Sequence, residues 1–446
     1  MKFYRPQPDS SLTTLPTGIP YIIGNEAAER FSYYGMRAIL VVFMTQYLTD
    51  STGTLAVMSE QEAQGYFHLF VSAVYFMPIL GAFVSDGLLG KYKTIIFLSI
   101  VYCLGHFALS IDNTRMGLLL GQGLIAIGSG GIKPCVSAHV GDQFGAANQQ
   151  LLGKVFSWFY FAINFGAFAA MLIIPWLLEH FGSSIAFGVP GLLMLLATLV
   201  FWLGRYQYVH IQPAGMVFVR EMFSQFGLKT MVKLASIYVF ITIFWALFEQ
   251  IGSSWVLQAQ KMDCLVFGVN LLPSQIQAAN PLLIMVLTPL FTYGVYPRMS
   301  AVFELTDTRK MAIGFFLTVI AFAIPSVIQM QIDQGFKPSI SWQLMAYVIL
   351  TSAEVMISIT CLEFSYRQAP KTMKSFVMAV YFLSVAVGNL LTSAVNFFIE
   401  NADGSSKLAG ASYFWFFTGL MFITAISFLW ASSHFRENYR FNDDLN

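Results

Sequence analysis

Positions 26, 29, 30 and 37 place two glutamates and two arginines inside an otherwise apolar run. An ionised side chain in such a run costs a few kcal/mol, so it survives beside a partner or a cavity. The segment reads Asn25-Glu26-Ala27-Ala28-Glu29-Arg30-Phe31-Ser32-Tyr33-Tyr34-Gly35-Met36-Arg37. At 100° per residue, Glu26, Arg30, Tyr33 and Arg37 fall within about 60° of one another, with Glu29 and Tyr34 at the margins. One helix face then carries carboxylates, guanidinium groups and phenols over three turns. A purely structural ion-pair stitch between helices is the plainer alternative. Lys133, Glu249 and Glu354 lie in equally apolar surroundings, which makes four acids against three bases. Such a near-balance suits pairing, because breaking a buried pair leaves a costly lone charge.

The other charges have telling neighbours. Gly128-Ser129-Gly130-Gly131-Ile132-Lys133-Pro134 lets helices approach closely around a deep lysine. The spacing of a nucleotide-binding P-loop is absent. Glu249 follows Phe244-Trp245-Ala246-Leu247-Phe248, and Glu354 stands in a polar stripe with Thr351, Ser358 and Cys361. Asn164, one turn after Tyr160, and Asn280 add neutral amides, which in a membrane helix can equally be interhelical glue. A cavity with a carboxylate at one end and cations at the other complements a zwitterion. Arginine grips a carboxylate through two hydrogen bonds, a glutamate accepts from an ammonium group, and amides suit a peptide backbone. A glutamate whose cationic partner changes between conformations also takes up and releases protons.

The elements that must position these groups are membrane spans. Of 446 residues 57% are hydrophobic and 11% charged, against about 25% charged in soluble domains. The mean hydropathy is +0.65, so lipid must be the solvent for much of the surface. A net charge of +1 points away from nucleic acid. Cys103, Cys135, Cys264 and Cys361 show neither metal-ligand spacing nor a disulfide framework, and no nucleophile–base pair suggests an enzyme. No cofactor is expected beyond the proton as coupling ion. The polar N-terminal stretch has no apolar core, so no cleavable signal is expected, and no Asn-x-Ser/Thr sequon occurs.

Twelve segments are apolar enough to span a bilayer: 20–48, 63–88, 94–111, 115–138, 152–178, 185–204, 232–258, 275–296, 310–329, 342–362, 374–399 and 410–432. The stretch 205–231 divides them into six and six, an N-terminal bundle over 1–204 and a C-terminal bundle over 232–446. With both termini cytoplasmic, inside segments carry seventeen Lys and Arg residues and outside loops only four, Arg115, Lys261, Lys337 and Lys407. The loops leave no room for a soluble domain. The sequence thus predicts an all-α, integral membrane protein of twelve transmembrane helices, with the major facilitator fold of two six-helix bundles around a central site.

The segment Glu26-x-x-Glu29-Arg30-Phe31-x-Tyr33-Tyr34-Gly35 resembles the signature of the proton-dependent oligopeptide transporter family, a branch of the major facilitator superfamily. Further matches run in order along the chain: Tyr75 to Gly81, Asp86 to Thr94, Gly128 to Phe144, Phe159 to Gly166, Phe244 to Ser253, Gln277 to Pro281 and Leu362 to Pro370. The resemblance covers nearly the whole chain. It implies a proton-coupled symporter of di- and tripeptides working by alternating access, functional as a monomer in the cell membrane. It implies proton coupling at Glu26 and Glu29, with Lys133 as their switching partner and Arg30 close by. Arg30 and Arg37 would meet the substrate carboxylate, and Arg37 with Glu249 would close the extracellular side. Glu354 would receive the peptide's amino terminus and can pair with Lys133. Asn164 and Asn280 would bind its backbone, and Tyr33, Tyr34, Tyr75, Tyr160, Trp245 and Tyr381 would line side-chain pockets.

The chain departs from the family pattern at several points. His68, seven residues before Tyr75, resembles animal members and could join the proton path or be structural. Lys233 matches a basic residue near the start of span seven, yet Thr292 stands where animal members have its acidic partner. Tyr381 takes a position usually held by tryptophan, and Arg367 replaces a common serine. The extra helix pair of many bacterial members and the large extracellular insertion of animal members are absent. The alternatives are a relative carrying nitrate or another small organic anion, a non-transporting nutrient receptor, or a membrane enzyme. The intact Glu-x-x-Glu-Arg motif and Glu354 argue against a nitrate carrier, which has no use for an amine receptor.

Overall fold

The computed structural model describes residues 4–213, 215, 225–368, 374–401, 403 and 405–439. The cations at Lys2, Arg220, Lys371 and Arg440, which count toward the expected topology, lie outside these residues, as do linker positions 214 and 216–224 and the side chains of Lys229, Lys233, Arg367, Lys374 and Arg436.

The first bundle holds the helices Ile19–Gln46, Glu60–Val84, Lys91–Ile111, Arg115–Gly141, Leu152–Phe181 and Ser183–Leu203, which are spans one to six. In the second bundle span seven is helical over Gln225–Phe248 and Ser254–Ala259, and span eight over Ala279–Leu290 and Tyr296–Val302. Span nine is Asp307–Asp333, span ten joins Ser341–Glu354 to Thr360–Gln368, and spans eleven and twelve are Lys374–Ile399 and Ala411–Tyr439. Among the described residues eleven helices are long and apolar enough to cross a membrane on composition alone. The twelfth, Ile19–Gln46, has 28 residues and so reaches about 42 Å, but its four charges lower its hydropathy. The helices extend several residues past many of the expected segments because helix continues where the sequence turns polar at the interface.

The interior has the same two-part plan. Of the two largest clusters of buried apolar side chains, one draws on positions 19–208, with Val256 and Leu257 added from span seven, and the other on positions 234–428. Within the first bundle spans two and four touch backbone to backbone. A Cβ on Gly81 would come within 2.7 Å of the Gly131 Cα, and one on Gly130 within 2.6 Å of the Met77 side chain. Only glycine permits this approach, which brings Lys133 on span four against span two. A short antiparallel hairpin, Leu265–Val266 with Val269–Asn270, lies after span seven and was not expected from the sequence.

Four spans are not regular α-helix. Span seven tightens to 3-10 helix over Glu249–Gly252. Spans two, eight and ten contain π-helical turns at Ser85–Leu89, Phe291–Val295 and Val355–Ile359. A π turn adds a residue to one turn and rotates the remainder of the helix, and such turns concentrate at functional sites. The even stripe expected for Thr351, Glu354, Ser358 and Cys361 is therefore interrupted just after Glu354.

The 205–231 linker leaves span six at one end of the molecule, here the joined end; the opposite end is the far end. At the far end, hydrogen bonds and ion pairs join described residues of the two bundles. Ser59 donates to Glu400 (2.6 Å), Lys261 to Glu60 (2.8 Å) and Ser393 to the Gly65 carbonyl (2.8 Å). Gln277 donates to the Ala38 carbonyl (3.0 Å) and Gln275 to that of Leu172 (2.7 Å). The bundles are thus sealed against each other at the far end.

Candidate functional site

Span one delivers its charges to the interior. Glu26 and Glu29 are each 1% exposed. Arg30 Nε donates to Glu26 Oε1 at 2.7 Å, one turn along the helix, and lies 3.4 Å from Glu29 Oε2. The other Glu29 oxygen accepts from the Ser129 hydroxyl on span four at 2.6 Å. Two carboxylates therefore share one guanidinium in a buried triad.

Lys133 is the opposite case. It is buried on span four, yet its ammonium makes no hydrogen bond to any described residue. It sits over the Tyr33 ring at 4.2 Å and the Tyr75 ring at 5.1 Å, where cation–π attraction offsets part of its desolvation. In this conformation Lys133 pairs with neither Glu29, Glu26 nor Glu354, the partners that the resemblance implied. Tyr33, expected along a side-chain pocket, is fully buried and serves as the floor for this ammonium. A buried charge without a partner stores free energy. Lys133→Met should raise stability by about 1–3 kcal/mol, seen as a higher melting midpoint in detergent. A midpoint unchanged or lowered would mean that the ammonium has an internal partner.

The second bundle supplies the other pole. Asn280 on span eight donates to Glu354 Oε2 at 2.8 Å and to the Thr351 hydroxyl at 3.2 Å on span ten. Glu354 has no cationic partner among the described residues and is only half-buried. Ser358 bonds the Tyr381 hydroxyl at 3.0 Å, which fixes Tyr381 beside this pole. Trp245 is buried, and its indole N–H has no partner among the described residues. Tyr160 is 40% exposed, and Asn164 returns its amide to the Tyr160 carbonyl at 2.9 Å. Arg30, Tyr34, Tyr75, Asn280 and Glu354 are all partly open. Open charges on membrane spans front a water-filled space rather than lipid.

Toward the far end Arg37 is hydrogen-bonded to Glu249, joining span one to the 3-10 turn of span seven. Its guanidinium lies 5.4 Å from the centre of the Phe67 ring. His68, the next residue, is fully buried and bridges the bundles. Its Nδ1 is 2.8 Å from Asn389 Oδ1, and its Nε2 is 2.8 Å from the Ser253 hydroxyl. His68 therefore belongs to the far-end layer with Arg37 and Glu249 rather than to the Glu26–Glu29 cluster. Thr292 turns its hydroxyl back to the Thr288 carbonyl at 2.8 Å.

Ser129, Ser253 and Asn389 hold these groups and were not singled out in the sequence. Short polar residues are common in spans as interhelical glue, so nothing in their type marks them. The one usable signal was position: Ser129 lies one turn before Lys133, and Ser253 ends the Phe244–Ser253 motif.

Two six-helix bundles with a charged, partly open site at their interface are the architecture of the major facilitator fold. The chain belongs to the POT family, whose model matches residues 92–226 and 224–416. It is 37% identical over 367 residues to Peptide transporter family 1 of Drosophila melanogaster, which covers 72% of this chain and 48% of that protein. It is 34% identical over 399 residues to Solute carrier family 15 member 2 of Mus musculus, covering 78% of this chain and 54% of the relative. The chain thus spans about half the length of the curated relatives it matches. The crystal structure of the POT family transporter PepTSo superposes with a TM-score of 0.85 at 34% identity, covering 95% of this chain and 99% of that one. A second solved structure, a proton dependent oligopeptide (POT) family transporter, gives 0.77 at 36% identity over 92% and 100% of the two chains.

Proposed function

We propose that this protein is a proton-coupled symporter of di- and tripeptides. The observation that carries the reading is the two-pole site. Arg30 and the unpaired Lys133 stand on the first bundle, and Glu354, held by Asn280, stands on the second. A peptide's carboxylate suits the cations and its ammonium suits Glu354, so one substrate bridges the two bundles. Family membership and the names of the relatives support the same reading. A proton on Glu29 or Glu26 removes negative charge from the triad and loosens its hold on Arg30, which then turns to substrate. Close carboxylates sharing a cation titrate as a unit, so the proton belongs to the set. Arg37 and Glu249 act as the gate.

Positive charge places the joined end and both termini in the cytoplasm, so the sealed far end faces outward and the site opens inward. On this reading the division falls between residues 1–204 and 232–446, the monomer is the working unit in the cell membrane, and no cofactor other than the proton takes part. The test is peptide-dependent proton flux in liposomes. Dipeptide uptake that ignores an imposed pH gradient would overturn the coupling. A sharper check addresses the amine pole. Glu354→Gln should raise KM about tenfold or more for dipeptides with a free amino terminus, since hydrogen bonds to charged groups are worth about 1.5–3 kcal/mol. N-acetylated dipeptides should be nearly unaffected; an equal loss for both would place the amino terminus elsewhere.

A further inference from the structure

Beside the start of span three, at the joined end, a cavity of about 310 Å³ is walled by Tyr4, Gly90, Lys93, His139, His210 and neighbouring residues. Its wall combines three features. First, the helix Lys91–Ile111 starts directly after Gly90, whose φ of 79° breaks the chain away from the preceding π turn. No side chain caps that helix. Its first-turn N–H groups therefore lack intrahelical partners and carry the positive end of the dipole. Second, Lys93 is exposed and adds a full positive charge with no ion pair to a described residue. Lys91 differs, being held by Asp142 at 2.7 Å. Third, His139 lines the cavity at 1% exposure, and its Nε2 bonds to no described residue. Buried polar nitrogens almost always have a partner, and no described residue offers one.

The cavity is held in shape by aromatic packing and local hydrogen bonds. His210 packs against Tyr4 at 4.3 Å and Tyr92 at 4.7 Å, and its Nε2 lies 2.8 Å from the Arg205 carbonyl. The Val209 N–H is tied to the Gln143 side chain at 2.9 Å. Asp142 takes Lys91, and Asp86 accepts from the Ser85 hydroxyl at 3.2 Å. The wall thus combines a helix N-terminus, an exposed lysine and a buried histidine nitrogen that bonds to no described residue.

We propose that this cavity binds a phosphate group. A phosphate monoester has three peripheral oxygens for these donors and a charge that suits both the dipole and Lys93. The group could arrive on a soluble molecule or on a lipid, since the cavity lies at a membrane-proximal end of the bundle. The site is separate from the peptide poles and does not rest on the peptide reading. The test uses the full chain in maltoside detergent, titrated with inorganic phosphate and with dihexanoyl phosphatidate; dihexanoyl phosphatidylcholine, which has no monoester, is the control. Wild type should be stabilised saturably by a monoester probe but not by the control. Lys93→Glu should weaken binding at least tenfold, and His139→Gln at least threefold. Equal response to both probes means that the group itself is recognised, phosphatidate alone points to a lipid headgroup, and inorganic phosphate alone points to a soluble ligand. Each of these supports the site. Should His139→Gln misfold, Lys93→Glu, on an exposed residue, still decides. No saturable binding by wild type, an equal response to the control, or binding indifferent to Lys93→Glu overturns the proposal.

Discussion

Glu29→Gln should lose pH-driven peptide accumulation and keep peptide counterflow. The substitution preserves shape, and its amide oxygen still accepts from Ser129, which now donates to Glu29 at 2.6 Å. It removes the charge and the titration. The Arg30 guanidinium, 3.4 Å from Glu29 Oε2 and 2.7 Å from Glu26 Oε1, is then held by Glu26 alone. The triad sits permanently in the state that a proton would otherwise create, so exchange of peptide across the membrane continues without a gradient to drive it. Each coupled proton draws about 2.3 kcal/mol from a potential of 100 mV, enough for roughly a fifty-fold peptide gradient. The variant should equilibrate to a ratio near one. Glu26→Gln is the matched comparison, because it neutralises the carboxylate closer to Arg30. If driven accumulation survives in both variants, the triad is not where coupling occurs.

The spans were readable in the sequence because a bilayer asks for length and apolarity, and twelve segments met that demand. Even span one, whose charges depress its hydropathy, could be placed by the phase of Glu26, Arg30, Tyr33 and Arg37 on one face. That phase anticipated the Glu26–Arg30 bond, an i, i+4 contact that helix geometry alone provides. Long-range choices were a different matter. Arg37 and Glu249 are 212 positions apart, and the sequence alone could suggest that buried charges pair without saying which. The resemblance supplied that pairing. Charge balance also pointed to a partner for Lys133, and the structure gives it two tyrosine rings instead. On the proposed reading, one conformation of a two-state carrier need not satisfy every charge, and the groups it leaves unsatisfied are those that substrate would meet. The π turns of spans two, eight and ten depend on how helices pack, so their local sequences gave no warning.

Removing either partner of the Arg37–Glu249 pair should shift the carrier out of its far-end-sealed state. Both side chains are buried here, Arg37 at 5% and Glu249 at 2% exposure, and the pair spans the two bundles. Truncating one partner leaves the other as a lone buried charge, at a cost of about 3–5 kcal/mol. That cost falls on the sealed state only, because opening the far end gives both groups to water. A difference of about 1.4 kcal/mol is tenfold in population, so Arg37→Ala or Glu249→Ala should move the equilibrium toward the open state by two orders of magnitude or more. Spin labels at Leu55, exposed in the far-end loop after span one, and Val269, exposed in the hairpin after span seven, should report longer distances in either variant. Transport should fall with them, since resealing becomes the costly step. His68 sharpens the expectation. Its bonds to Asn389 and Ser253 tie the same layer, so a shift smaller than tenfold in the single variants would mean that this histidine and its neighbours hold the far end without the ion pair. The double variant Arg37→Ala with Glu249→Ala strands no charge and should lie closer to wild type than either single change. If the double variant opens at least as far as the sum of the singles, the two residues act independently and the gate is elsewhere.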